Sequence, residues 1–82
     1  MLTGEQIRAA RALLRMEQSA LASASGVSLP TIKRLEAIEG PISANTTTES
    51  ALRKAFDQAG AILIDENGEG PGVRLRKDHR GG

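Results

Sequence analysis

Apolar residues recur along this chain at two spacings, and the change from one to the other divides it near residue 60. Before that point they return every three to four residues, the period of amphipathic helices; after it they run together or alternate, as in strands. Thr3 and Gln6 are spaced as a capping box and predict a first helix, with Ile7, Ala10, Leu14 and the adjacent Leu13 as its apolar stripe. Arg8 and Arg15 fall on its wet side. Residues 18–36 carry two short helical patterns. The first begins near Glu17 or Gln18 and ends at Ser25, Gly26 makes the reversal, and Ser28 opens the second. Leu21, Ala22, Val27, Ile32 and Leu35 then fit one helix folded back on another around a shared core. Glycine suits the reversal because a left-handed backbone is cheap for it alone.

Gly40 and Pro41 end the third helix, and a loop over residues 41–45 follows. Residues 45–49 offer several caps for a fourth helix, Thr46 and Glu49 among them with capping-box spacing. Leu52, Ala55, Phe56 and Ala59 form its buried stripe, and Gly60 ends it. Residues 61–65 are short, β-branched and apolar, and residues 73–77 alternate apolar with basic, so both read as strands. Between them the turn-rich 66–72 segment predicts an antiparallel hairpin with a long loop. The expectation is therefore a mainly α chain, four helices over 1–60 and a two-stranded antiparallel β-hairpin over 61–77. Residues 78–82 read as a disordered tail. In the first strand of this hairpin Ile62 and Ile64 are expected to cover the helices, leaving Leu63 to point outward.

The second helix of the 18–36 pair has an outward face worth reading. At about 100° per residue, Leu29, Pro30, Lys33, Arg34 and Ala37 fall opposite Ile32 and Leu35. Pro30 has no N–H, so the Ser28 hydroxyl should cap the amide of Thr31 instead. Gln18, Leu21-Ala22, Gly26-Val27-Ser28, Thr31-Ile32 and Leu35-Glu36 together resemble the helix-turn-helix of the lambda-repressor-like (Cro/CI, XRE) family. The similarity extends from Ile7 and Arg11 to about Ala59. It implies that 1–60 is a helix-turn-helix DNA-binding domain and that Arg11, near the core edge, pairs with Glu36. Arg11 lies one turn from both Ile7 and Leu14 and so needs a partner; the less favoured alternative is a snorkelling surface arginine. The resemblance also makes Gln18 a phosphate contact, while the family's usual Ser or Thr cap is here Glu17, whose carboxylate suits a helix N-terminus but repels a phosphate.

Composition changes this picture only at its edges. The 82 residues allow one small domain with little room for a deep pocket. A net charge of +1 is too mild to identify a nucleic-acid binder unaided. Phe56 is the one aromatic residue, which argues against a platform of stacked single-stranded bases. There is no cysteine, no apolar run near membrane length, and no signal-like N-terminus, so a cytoplasmic protein is expected. The acidic residues are scattered among caps and turns, the single His79 lies in the tail without a second ligand, and the glycine-rich 66–72 loop lacks a Lys-Ser/Thr end. No enzyme, metal or cofactor is expected.

Binding is the better class, with two hypotheses. In the first the protein is a sequence-specific regulator of double-stranded DNA, a repressor acting as a homodimer on a palindromic operator. Phosphates would meet the amide ends of the second and fourth helices, helped by Gln18, Asn45, Thr46 and Thr47. Bases would meet Ser28, Leu29, Pro30, Thr31, Lys33 and Arg34, with Arg34 forked onto guanine and the apolar groups on thymine methyls. In the second it acts through a protein partner, as an antiactivator or antitoxin, for which Leu29, Pro30 and Ala37 would suit a groove. An antitoxin repressing its own operon combines the two. Because one such domain contacts too few bases, two copies are expected on two half-sites, with Ile62, Leu63 and Ile64 as the dimer element; Arg74, Arg76 and Lys77 then flank the seam or lie near DNA, and the alternative is a hairpin that only lids its own core.

Overall fold

The structure, a computed structural model, describes residues 1–77. The expected tail at 78–82, with His79, lies outside the described residues. Helix α1 (Gly4–Leu14) is followed by α2 (Gln18–Ser25), α3 (Leu29–Glu36) and α4 (Thr46–Ala59), then by strands β1 (Ala61–Ile64) and β2 (Gly72–Leu75). Several of these boundaries have a local cause. The Thr3–Gln6 capping box starts α1 in both directions, Gly26 closes α2 at φ 78°, and Gly60 closes α4 at φ 108°. Asn45 alone caps α4, accepting from the Thr48 amide at 2.7 Å. The Thr46–Glu49 capping box does not form, because Glu49 accepts from the Leu2 amide and pairs with Arg53.

Phe56 sits with Ile7, Leu21, Ile32, Leu35 and Leu52 in a fully buried core that Leu2 and Ile42 complete. Helix α1 is central, packing on α3 and on both strands, while α2 packs on α3 and α4. Leu13 does not join the stripe of α1: it is 41% exposed, whereas Leu14 packs against the core as expected. A close backbone approach fixes the start of α1. Gly4 donates to the Gly40 carbonyl at 3.1 Å, Ile42 donates to Leu2 at 2.9 Å, and Thr3 bridges Pro41. A Cβ on Gly4 would lie 2.0 Å from the Ile38 carbonyl oxygen, so no larger residue fits there.

The strands pair antiparallel with Ala61 opposite Leu75, Ile62 opposite Arg74, Leu63 opposite Val73 and Ile64 opposite Gly72. Their facing is the reverse of the expected one. Ala61 is buried, and Leu63 and Val73 pack against the core, so alternation turns Ile62 and Ile64 outward, where Ile64 lies over Gly72. The Gln6 amide, buried beneath the hairpin, donates to the carbonyls of both Ile64 (2.9 Å) and Gly72 (3.0 Å) and ties it to α1. No helix among the described residues is long and apolar enough to cross a membrane.

Candidate functional site

Helix α3 is held from within and open from without. Ser28 caps it, accepting from the Thr31 amide at 3.3 Å as Pro30 requires, and its hydroxyl also donates to Thr31 Oγ1 at 2.9 Å. Both hydroxyls at the start of α3 are thereby occupied. Ile32, Leu35 and Glu36 are buried, whereas Pro30, Lys33, Arg34 and Ala37 are exposed and Leu29 and Thr31 half-buried. Neither Lys33 nor Arg34 enters an ion pair among the described residues. The outward face is thus two adjacent cations between apolar ends.

What orients this face is the last turn of α3. The buried Glu36 carboxylate accepts from Arg11 Nε and, at 2.9 Å, from Arg11 Nη2, while Arg11 Nη1 donates to the Met16 carbonyl at 2.9 Å. The bond to Glu36 raises the pKa of Arg11 above its usual value, although partial burial opposes it. Gln18 Nε2 adds a third bond to the same carboxylate, at 3.1 Å. Arg8 completes the set by donating to the Glu36 backbone carbonyl, which lies among the groups that no helical amide satisfies. One residue therefore joins α1, the start of α2 and the end of α3. Arg8 was readable only in part: it lies one turn before Arg11 on α1, yet the hydrophobic pattern places it in water.

The other expected contacts are arranged less closely. Glu17 precedes α2 without capping it by its side chain, which leaves the first amides of α2 to other acceptors. Asn45, Thr46 and Thr47 are exposed at the start of α4, with the Asn45 side chain committed to Thr48, and no hydrogen bond among the described residues joins them to α3. A cavity of about 610 Å³ lies elsewhere, lined by Met1, Thr3, Glu5, Gly40, Pro41, Glu66 and Pro71, and shares no residue with α2 or α3. Glu5 there accepts from the Gly40 amide at 2.9 Å, a bond that lowers its pKa. Among the described residues no group of His, Cys, Asp and Glu is placed to hold a metal ion. No protein-family model matches the chain, and no curated protein matches it.

Proposed function

We propose that this chain is a sequence-specific, double-stranded DNA-binding regulator of the lambda-repressor-like helix-turn-helix kind, a cytoplasmic repressor that binds a palindromic operator as a dimer. The observation that carries this reading is the outward face of α3, where Lys33 and Arg34 stand exposed on a helix locked inward through Ile32, Leu35 and Glu36. A rigid helix bearing a forked donor suits the major groove, where guanine presents two acceptors to a guanidinium. With the Ser28 and Thr31 hydroxyls bonded to each other, Leu29, Pro30 and the Thr31 methyl offer apolar contact to thymine methyls. The amide ends of α2 and α4, with Gln18, Thr46 and Thr47, would hold phosphates and set the register.

A second reading, a helix-turn-helix protein working through a protein partner, is favoured by one observation. Gln18 and Asn45, two of the expected phosphate contacts, are bonded within the chain, to Glu36 and Thr48. The two readings separate in one experiment: selection of duplexes from a random library, with the upstream region of the protein's own gene as a second probe. DNA binding predicts an enriched sequence, and Arg34→Ala should weaken its binding by about 1–3 kcal/mol while relaxing preference at one base pair per half-site. Equal loss on every sequence would mean that Arg34 touches phosphate. Absence of any enriched duplex would overturn the DNA reading in favour of the protein partner.

A further inference from the structure

Residues 65–71 join the two strands in a loop to which the proposed function gives no task, and one dipeptide in it meets the conditions for a reaction within the chain. Asn67 and Gly68 are both exposed, and the Asn67 side chain takes part in no hydrogen bond among the described residues. Gly68 carries no Cβ and stands at φ 103°, a conformation cheap only for glycine, so nothing on it shields its backbone nitrogen from the side chain before it. That nitrogen makes no backbone hydrogen bond among the described residues and donates instead to Glu66 Oε2 at 2.7 Å. At such a distance a general base can take the proton of the group it faces. The chain's other asparagine is placed differently: Asn45 Oδ1 is bound to the Thr48 amide at 2.7 Å, and the next nitrogen belongs to Thr46, a β-branched residue already in α4.

We propose that Asn67 is a self-modification site, deamidated within the chain with the Gly68 nitrogen as nucleophile and Glu66 as general base. The Glu66 carboxylate takes the Gly68 amide proton as that nitrogen attacks Asn67 Cγ, and a bond from nitrogen to Cγ forms. The bond from Cγ to Nδ2 then breaks, and the proton held by Glu66 passes to the departing nitrogen, which leaves as ammonia. The product is a five-membered succinimide linking residues 67 and 68. Solvent water opens the ring: cleavage at Cγ leaves an aspartate at position 67 in an ordinary main chain, and cleavage at the main-chain carbonyl carbon leaves an isoaspartyl link that runs through the side chain. No oxidant, metal or other co-reactant enters.

The fold has room for either product. Gln6 holds the carbonyls of Ile64 and Gly72 on the two sides of the loop, so the extra main-chain atom of the isoaspartyl form stays within residues 65–71, where Gly68 and Gly70 already take positive φ. The effect is instead one of charge. Asp65, Glu66 and Glu69 are exposed in this loop, and of the three only Asp65 enters an ion pair among the described residues. One more carboxylate there cancels the chain's formal net charge of +1. The inference does not rest on DNA binding, because the reaction is followed by mass without DNA.

The test is peptide mass spectrometry of the full chain held for weeks at neutral pH, with circular dichroism as a check on fold. A gain of a single mass unit should appear in the peptide that holds Asn67, as separable aspartyl and isoaspartyl forms, while the peptide with Asn45 stays unchanged and the thermal midpoint stays put. Gly68→Ala should slow the conversion at least about tenfold. Glu66→Gln keeps an oxygen to accept from the Gly68 amide but cannot take its proton, and it too should slow the conversion at least about tenfold. Glu5→Gln, which removes a carboxylate from the same cavity but one bonded to Gly40, should leave the rate alone. An Asn67 peptide that keeps its mass throughout overturns the proposal, as does equal conversion at Asn45. A folded Glu66→Gln protein that converts at the parent rate overturns the role of Glu66 as base.

Discussion

Replacing Glu36 by Gln keeps the shape of the side chain and its bond to Gln18 but leaves the Arg11 guanidinium facing a neutral amide. The magnitude follows from where the pair sits. The Glu36 side chain is 6% exposed and that of Arg11 22%. Breaking a wholly buried pair costs about 3–5 kcal/mol, whereas an exposed pair contributes about 0–1 kcal/mol. Water reaches one side of Arg11 and screens part of the effect, so the loss should be about 2–3 kcal/mol. In so small a domain that is a large share of a total stability of roughly 4–12 kcal/mol, and it should lower the thermal midpoint by roughly 10–20 °C. Arg11→Met should lose a similar amount, since the carboxylate then keeps Gln18 alone. A double-mutant cycle read by urea unfolding at pH 7 isolates the pair, with an expected coupling of about 1.5 kcal/mol or more. A coupling below about 0.5 kcal/mol would refute the reasoning. High salt offers a control, for it should weaken the exposed Arg53–Asp65 pair far more than this one.

Three further outcomes are expected. Gly4→Ala should destabilise by about 3 kcal/mol or more despite alanine's better helix propensity, because the new Cβ meets the backbone oxygens of Ile38 (2.0 Å) and Leu35 (2.8 Å), which cannot swing away; a thermal midpoint within a few degrees of the parent would contradict this. Leu63→Lys should unfold the hairpin from α1 while Ile62→Lys leaves the midpoint nearly unchanged, and the reverse ranking would return the strand to its expected facing. The bond and charge of Arg53 lower the pKa of Asp65, so its stabilisation is complete above the ordinary aspartate value and fades as pH falls through the lower folded one, from about pH 4 downward. Asp65→Asn should flatten that part of the stability profile, measured as thermal midpoint against pH, and an unaltered acid limb would exclude the link.

By itself the sequence determined the features whose causes are local. Thr3 with Gln6, Ser28 with the Thr31 amide, and the left-handed glycines at 26 and 60 act within a turn, so these helix ends were legible, whereas the end of α1 at a left-handed Arg15 was not. The inner and outer faces of α3 were equally readable, since a helical period assigns every residue once Ile32 and Leu35 are placed inside. Tertiary structure decided what local rules left degenerate. Asn45, Thr46 and Thr47 are all good caps, and Asn45 prevails because Glu49, the partner that Thr46 would need, is drawn to Leu2 and Arg53. An alternating strand has a period of two but no intrinsic phase. Gly60 and the buried Ala61 set that phase, turning Leu63 inward and Ile62 and Ile64 out. Gln18 is expected at a phosphate and nothing local links it to Glu36 until the fold brings the two together, and no local pattern marks Gly4 until residues 38–40 close over it. Each depends on chain segments far apart in sequence, whose meeting no local pattern encodes.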